Sequence, residues 1–314
     1  MLQKFRKIPS LFWRRPISWT FKVQSCEEDI LGSKSVNELF YFNSLKESKF
    51  WKANINAADP FIITSNNQLY VFFESQAAFS KGSIQSISTS DLKSWHNHGI
   101  VLEEPFHLSF PNIYFEDQCY WLLPECAEAG SLWIYKTDKL PLGWIKVRPL
   151  LDFPCFDPVL HKRNNVYYLW TTDGIGQLRL FYATSLLESY REHPMSPITK
   201  DPRYNRSGGA IMTMADNSLI RLAQDGEISY GRGLHAIRIK TLTPQMYEEE
   251  VIKTDFLPRD AKWNSLGTHH LHSDEFLGRK IRAVDGQGYA SRIYTIPILV
   301  RRLAIAVRDF FLKK

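Results

Sequence analysis

The strongest constraint on the fold is a short pattern that recurs five times along the chain. Each copy opens a buried strand, passes through a tight turn rich in Asn, Asp or Gly, and enters a second strand dominated by apolar residues. The copies lie roughly fifty residues apart, within the repeat lengths that indicate propellers and other repeat arrays. The sequence therefore predicts an all-β fold, a five-bladed β-propeller, whose copies open at Ala58-Asp59-Pro60, Ser109-Phe110-Pro111, Phe156-Asp157-Pro158, Gly208-Gly209 and Gly267-Thr268-His269.

A further strand is predicted before the first copy. Ile17, Trp19, Phe21 and Val23 alternate with polar residues, which is typical of an amphipathic strand. Such a strand commonly closes a propeller ring by pairing with the last blade, because this pairing removes an exposed sheet edge. We expect this strand to close the ring.

Three segments follow from this pattern. Residues 1–25 form a basic N-terminal segment with the possible ring-closing strand, residues 26–295 form the propeller, and residues 296–314 form a basic amphipathic helix. The C-terminal helix is predicted because apolar residues recur there at helical spacing, namely Leu299, Leu303, Val307 and Phe310. A second, short helix is expected near Val36–Phe50.

The formal net charge of +6 is concentrated at the two ends of the chain. Residues 1–22 hold six lysines and arginines and no acid, and residues 299–314 hold five against one aspartate. The body between them is therefore net negative, which argues against a nucleic-acid groove across the propeller. Basic ends beside an amphipathic helix suit an anionic membrane surface, so we expect a cytoplasmic protein peripherally associated with the inner face of the membrane. No apolar run is long enough for a transmembrane helix, and no cleavable signal is apparent.

Cysteine and histidine spacing does not favour a metal site. The four cysteines show no CxxC or CxxH spacing, which is typical of reduced thiols in a cytosolic protein. His269, His270 and His272 lie close together, but on a strand only His270 and His272 share a face. We therefore favour a single structural histidine in the cavity and expect neither a metal nor a cofactor.

The residues that open the copies are expected to line one central cavity, because the innermost strands of a propeller surround its axis. Around the ring these residues are Asp59, Ser109, Asp157, Arg206 with Ser207, and His269 with His270. Carboxylates, an arginine and histidines converging on one polar cavity indicate a carbohydrate or phosphate site.

The strand openings resemble those of the five-bladed propellers of the family 43 glycoside hydrolases. That resemblance implies that Asp59, in Asp59-Pro60, is a general base, that Asp157 tunes the acid, and that His269 is a central histidine. The fourth blade of those enzymes opens with a general-acid glutamate followed by Gly-Pro. Here the corresponding stretch is Asn205-Arg206-Ser207-Gly208-Gly209, so the acid is replaced.

A more specific resemblance covers residues 50–290. The chain is similar there to the propeller domain that precedes the transferase domain of plant glucosamine inositolphosphorylceramide transferases, and to stand-alone proteins among bacterial surface-polysaccharide genes. The plant proteins carry a separate transferase domain and this chain has none, so their activity does not transfer directly. The resemblance rests on Trp95 with His98-Gly99, His107 to Pro111, Pro124-Glu125, Arg206 to Gly209, Arg221 with Gln224-Asp225, Tyr230-Gly231, and Gly267 to His269.

The replacement of the blade-four acid favours one of the possible reactions. A glycosidase must protonate a poor leaving group, which requires a carboxylic acid. A phosphate or nucleotide leaving group needs charge neutralisation instead, and Arg206 and Arg221 are suited to this. Asp59 then acts as the base on an acceptor hydroxyl. The sequence thus favours glycosyl transfer from a phosphate-activated donor to a glycan or lipid-linked acceptor, in bacterial surface polysaccharide or glycolipid biosynthesis.

Two alternatives stay open. Glu125 is a spare carboxylate that restores an acid and keeps hydrolysis in play. A non-catalytic glycan-binding accessory propeller is the third possibility. The candidate catalytic residues are Asp59, Asp157 and Glu125, and the candidate substrate- or phosphate-binding residues are His107, Arg206, Arg221, Gln224, Tyr230 and His269.

Overall fold

The computed structural model describes residues 17–27, 30–32, 36–42, 54–77, 80–261 and 263–289. Within these ranges the chain is built from β-strands, with one three-residue 3-10 turn at Ala127–Ala129 and no α-helix. No helix in these ranges is long and apolar enough to cross a membrane. The C-terminal helix predicted for residues 296–314 lies outside the described residues.

The strands form the five blades of a propeller, which confirms the predicted fold. The first blade contains β3 (Asn54–Ser65), β4 (Gln68–Ala77), β5 (Ser83–Thr89) and β6 (His96–Leu102), and the second contains β7 (Ser109–Glu116), β8 (Cys119–Glu125), β9 (Leu132–Thr137) and β10 (Ile145–Leu151). The third contains β11 (Phe156–Arg163), β12 (Val166–Thr172), β13 (Leu178–Ala183) and β14 (Arg191–Glu192). The fourth contains β15 (Arg206–Ser207), β16 (Met212–Thr213), β17 (Leu219–Asp225), β18 (Gly233–Leu242) and β19 (Tyr247–Lys253).

The fifth blade is completed from the other end of the chain. It contains β20 (Leu271–Phe276), β21 (Arg279–Tyr289), β1 (Ile17–Cys26) and β2 (Val36–Phe42). Strand β1 lies antiparallel to β21 along its whole length and also touches β3, where Trp19 is opposite Asn56. The N-terminal strand therefore covers the edge of β21 and joins the last blade to the first through one paired position on β3.

The helix predicted near Val36–Phe50 is wrong over its first half, because Val36–Phe42 is strand β2. Phe42 is buried and packs on Phe21 of β1 at 5.0 Å and on Phe73 of β4 at 4.7 Å between ring centroids. Burial of this aromatic face, together with the pairing to β1, outweighs a weak helical preference. Residues 43–50 lie outside the described residues.

The first three blades share one backbone device at their openings. In each, the residue before the proline has a left-handed conformation, with φ of 52° at Asp59, 46° at Phe110 and 47° at Asp157. The register between the first and second strands shifts at the same places, so each opening is a β-bulge. These bulges re-aim the side chains at the start of the innermost strand.

The tight turns that the sequence indicates are also present. Asn66-Asn67, Asp117-Gln118 and Asn164-Asn165 each place two consecutive residues at positive φ, which is the geometry of two-residue type I′ hairpins. Asn and Asp tolerate this conformation better than other residues with a Cβ, which explains their recurrence there.

Candidate active site

The register shifts at the bulges change the assignment of one residue in the predicted ring. Ala58, Ser109 and Phe156 are the last paired residues before the register shifts, so Ser109 corresponds to Ala58 and not to Asp59. The true counterpart of Asp59 and Asp157 in the second blade is Phe110, which is fully buried. The second blade thus contributes an apolar side chain at the position where blades one and three contribute a carboxylate.

Hydrogen bonds between neighbouring blades connect the openings around the axis. The backbone N–H of Asp59 donates to Asp285 Oδ2 of blade five at 3.3 Å, and the N–H of Phe110 donates to Asp59 Oδ2 at 3.3 Å. The N–H of Asp157 donates to Glu125 Oε2 of blade two at 3.0 Å. Carboxyl groups of blades five, one and two therefore fix the openings of blades one, two and three, respectively.

Arg206 lies in a carboxylate network on one side of the cavity. Its Nε is 2.5 Å from Asp157 Oδ2, and one terminal nitrogen is 3.5 Å from Glu125 Oε2. Gln224 Nε2 also donates to Asp157 Oδ2, at 3.0 Å. The Arg206 side chain keeps 27% of its surface exposed, whereas Asp157 keeps only 3%. Asp157 therefore fixes the orientation of the guanidinium, while the Arg206 side chain as a whole stays partly exposed.

His269 lies in a second network on the other side. Its Nδ1 is 2.5 Å from Asp285 Oδ2, and its Nε2 is 3.8 Å from Asp59 Oδ1. Burial disfavours the imidazolium, but the carboxylates of Asp285 and Asp59 outweigh this effect and raise the pKa of His269 to about 9. His269 is therefore a cation at neutral pH, although it is almost completely buried.

Two carboxyl groups of the cavity, Asp59 and Glu125, hold protons more tightly than ordinary carboxyl groups. Burial raises the pKa of Asp59 well above its ordinary value, with Glu74, Asp285 and Asp157 adding to the increase and His269 opposing it.

Burial also raises the pKa of Glu125, to about 8, together with the charge of Asp157 and against the charge of Arg206. Glu125 is therefore mostly protonated at neutral pH.

Aromatic rings enclose the histidine side of the cavity. The indole of Trp19 stacks on His269, with ring centroids 3.8 Å apart and an interplanar angle of 14°. Tyr230 meets His269 edge-on at 5.2 Å and also lies 5.0 Å from the guanidinium carbon of Arg206. Tyr230 is exposed, and its ring contacts both cations.

Two of the predicted binding residues do not belong to this cluster. Arg221 is fully buried, and two of its nitrogens donate to the Glu249 carboxylate at 2.9 and 2.7 Å. A guanidinium held in this way is part of the scaffold and presents no exposed face to a phosphate, which argues against the predicted role of Arg221. His107 lies beside the cluster and not within it: its Nδ1 accepts from the N–H of Gly82, and its Nε2 is 3.5 Å from Glu74, whose charge acts on Asp59.

The other predicted residues are brought together as expected: Asp59, Glu125, Asp157, Arg206, Gln224, Tyr230 and His269. The sequence reasoning missed Asp285, Glu74 and Trp19. Asp285 and Glu74 lie near the end of the second strand of their blades, the position that Glu125 and Gln224 occupy in theirs. Aligning the repeats on their second strands as well as their first would have found both acids. Trp19 gave no such signal, because it comes from outside the repeats.

Three residues of the histidine network are also close enough together to be considered as metal ligands. Asp59, His269 and Asp285 each offer one ligand atom, all within 4.8 Å of one another. However, His269 Nδ1 and Asp285 Oδ2 are only 2.5 Å apart, so these two groups are paired with each other. We therefore assign this group as a hydrogen-bonded charge pair.

Comparison with solved structures supports the fold. A family 117 glycoside hydrolase from Zobellia galactanivorans superimposes with a TM-score of 0.55, 11% sequence identity, and coverage of 87% of this chain and 92% of that one. An α-L-arabinofuranosidase from Clostridium thermocellum gives a TM-score of 0.53 and 17% identity, covering 72% and 81% of the two chains.

Sequence comparison identifies the family. The chain is 30% identical over 275 residues to glucosamine inositolphosphorylceramide transferase 1 of Arabidopsis thaliana, covering 77% of this chain and 35% of that protein. It is 28% identical over 245 residues to the protein of the same name from Oryza sativa subsp. japonica, covering 73% and 33%. The chain thus spans about a third of the length of these relatives. The model of the N-terminal region of glucosamine inositolphosphorylceramide transferase 1 matches residues 34–287, and the chain therefore belongs to that family.

Proposed function

We propose that the cavity binds the glycosyl group of a phosphate-activated donor and transfers it to a hydroxyl of a glycan or lipid-linked acceptor. The observation that carries this proposal is the position of Arg206. It places a permanent cation in the blade-four opening, on a side chain that keeps 27% of its surface exposed. A cation there cannot protonate a leaving group, but it stabilises the charge that develops on a departing phosphate.

Each cavity residue has a defined task in this reaction. The acceptor oxygen attacks the anomeric carbon, its proton goes to Asp59, and the phosphate departs with the electron pair of the broken bond. The raised pKa of Asp59 makes its ionised form a stronger base than an ordinary aspartate. Protonation of Glu125 reduces its competition for Arg206, so the guanidinium is available to the phosphate.

The names of the relatives support a sugar and lipid substrate class. They describe transferases acting with glucosamine and inositolphosphorylceramide, so an amino-sugar donor and a phosphate-bearing glycolipid acceptor are the first substrates to test. We extend this to bacterial surface polysaccharide or glycolipid assembly. The basic ends of the chain fit a site of action at the inner face of the membrane.

Hydrolysis is a second candidate because of one specific observation. Glu125 has a pKa raised to about 8, so it carries a proton at neutral pH, as a general acid must. It lies beside Asp157 and Arg206, within the same cavity as Asp59. Glu125→Gln removes this proton donor with little change in volume and therefore separates the two reactions.

The test is a transfer assay with the purified full chain, nucleotide sugars and lipid-linked or glycan acceptors, with products identified by mass spectrometry. We expect the wild type to form product, Asp59→Asn to abolish it, and Arg206→Lys to restore part of the activity lost in Arg206→Ala, because lysine keeps the charge without the bidentate geometry. Arg203→Ala is the matched control, since Arg203 pairs with Asp201 on an exposed loop nearby.

Three results would redirect the proposal. Readily cleaved aryl glycosides, with cleavage lost in Glu125→Gln, would make the protein a hydrolase. Sugar binding without product would make it an accessory glycan-binding propeller. Full transfer by both Asp59→Asn and Arg206→Ala would show that the site lies elsewhere.

A further inference from the structure

Asp285 contacts the openings of both the fifth and the first blade. Its side chain is completely buried. Oδ1 accepts from the backbone N–H groups of His269 and His270, each at 3.0 Å, and Oδ2 accepts from the N–H of Asp59 at 3.3 Å. Oδ2 is also 2.5 Å from Nδ1 of His269. One carboxylate therefore ties the openings of the fifth and first blades together.

Neighbouring side chains fix the orientation of His269, the charged partner of Asp285. The indole of Trp19 covers one face of its ring, and Tyr230 meets the ring edge-on. Gly231 makes this packing possible, because a Cβ there would lie 2.9 Å from Trp19 and 3.0 Å from His269. The remaining nitrogen, Nε2, points toward Asp59 Oδ1 at 3.8 Å. The histidine thus has one orientation, with one nitrogen toward each aspartate.

We propose that Asp285 is a positioning residue, which holds His269 as an imidazolium and fixes the main chain that carries Asp59. The proposal rests on the role of Asp59 as the base of the proposed reaction. The carboxylate keeps the imidazolium in place, and the imidazolium in turn favours the ionised form of Asp59. A buried aspartate surrounded by other acids needs such a cation in order to accept a proton near neutral pH.

The groups that face His269 agree with this arrangement. Asp285 on β21, Asp59 on β3 and Asp157 on β11 all raise the pKa of His269, whereas burial opposes them. The adjacent His270 does not compete as a cation, since burial lowers its pKa well below the ordinary value. The arrangement also depends on ring closure, because Phe21 of β1 pairs directly with Asp285 and Trp19 comes from the same strand.

The test follows the protonation state of His269 by NMR in the full-length protein labelled with ¹⁵N-histidine. The His269 resonance is assigned as the one missing from His269→Gln. In the wild type we expect His269 to remain an imidazolium at pH 7.5, with a strongly deshielded Nδ1 proton. In Asp285→Asn we expect the pKa of His269 to fall by roughly 1–3 units, because the amide keeps the shape but not the charge.

Asp274→Asn is the matched control. Asp274 lies on β20, and its carboxylate accepts the backbone N–H of Thr64 at 2.6 Å, so it also ties blade five to blade one without contacting His269. We expect the His269 resonance to be unchanged in this variant. In the transfer assay, Asp285→Asn should lower kcat at neutral pH more than it changes KM and move the pH optimum upward.

The NMR experiment tests the pairing of Asp285 with His269 whether or not the protein catalyses glycosyl transfer. An unchanged His269 pKa in folded Asp285→Asn would overturn the proposal. If that variant does not fold, the wild type still decides, because a neutral His269 at pH 7.5 would also overturn it. A shifted pKa in Asp285→Asn, with no transfer by the wild type, would support the pairing while rejecting the proposed reaction.

Discussion

Arg206 and Arg221 lie on the first and second strands of the same blade, and the sequence suggests the same phosphate-binding role for both. The structure gives them different environments. Arg221 has no exposed side-chain surface and pairs with Glu249 of its own blade, whereas Arg206 keeps 27% of its side chain exposed and pairs with Asp157 of the neighbouring blade. An arginine in a propeller blade is therefore a site residue only if its fork is not already filled by a carboxylate of its own blade.

The largest effect is expected where Arg221 loses its partner. Glu249→Gln leaves a completely buried guanidinium without a counter-charge and also weakens the hydrogen bond from Tyr247. We expect a loss of about 3–5 kcal/mol in the free energy of unfolding, measured by denaturant titration.

The control for this prediction is Glu192→Gln. Glu192 pairs with Arg179 on the surface, and that pair should contribute no more than about 1 kcal/mol. Equal losses in the two variants would mean that Arg221 is not the buried scaffold residue described above.

The second effect concerns Arg206 and should appear in binding and not in folding. Arg206→Ala removes a charged hydrogen-bond donor from the cavity, so we expect affinity for a glycosyl phosphate to fall by about 1.5–3 kcal/mol, or roughly 10- to 100-fold. Isothermal titration calorimetry measures this loss. A large drop in stability with unchanged affinity would give Arg206 the scaffold role assigned to Arg221.

The third effect distinguishes the titratable side of the cavity from the arginine side. Glu125 and His269 have folded-state pKa values raised to about 8 and 9, so the native state binds more protons than the unfolded state between pH 6.5 and 8. The stability that these two groups contribute is therefore lost as the pH rises through this range.

The loss should approach about 1.4 kcal/mol per pH unit for each group. Denaturant midpoints measured from pH 6 to pH 9 test the slope. Glu125→Gln should reduce it, whereas Arg203→Ala should leave it unchanged. An equal slope in the wild type and Glu125→Gln would contradict the raised pKa of Glu125.

The smallest effect per residue is expected at the ends of the chain. Each basic residue near an anionic leaflet contributes on the order of 1 kcal/mol, so we expect salt-sensitive sedimentation with anionic liposomes. Truncation after Tyr294 should weaken it, and neutral liposomes are the control. Full-length protein that stays in the supernatant at low salt would reject this prediction.

Much of the scaffold can be predicted from local sequence patterns. The Asn-rich turns and the X-Pro openings at Asp59 and Asp157 each predict their own geometry, and together they predict the blades. The bulges could not be predicted from local sequence, because their register depends on pairing with the second strand. Ser109 was therefore aligned with Asp59, whereas the true counterpart of Asp59 is the next residue, Phe110.

The charged pairs of the site were harder to predict. Asp285 pairs with His269 inside blade five but contacts Asp59 in blade one, and Trp19 arrives from the opposite end of the chain. Arg221 looked like a site residue because its partner, Glu249, lies two strands away across the blade. Such pairings are decided by tertiary contacts, which a local pattern does not record.

The most direct test of the central claim compares two ligands that differ only in charge. Calorimetry would measure the affinity of the wild type for a sugar 1-phosphate and for the same free sugar, and then repeat both in Arg206→Ala. The account predicts tighter binding of the phosphate by the wild type, with the difference lost in Arg206→Ala because the cavity has no other exposed arginine among the residues described for it. Equal binding of both ligands by the wild type, or a preference for the free sugar, would contradict a phosphate-activated donor at this site.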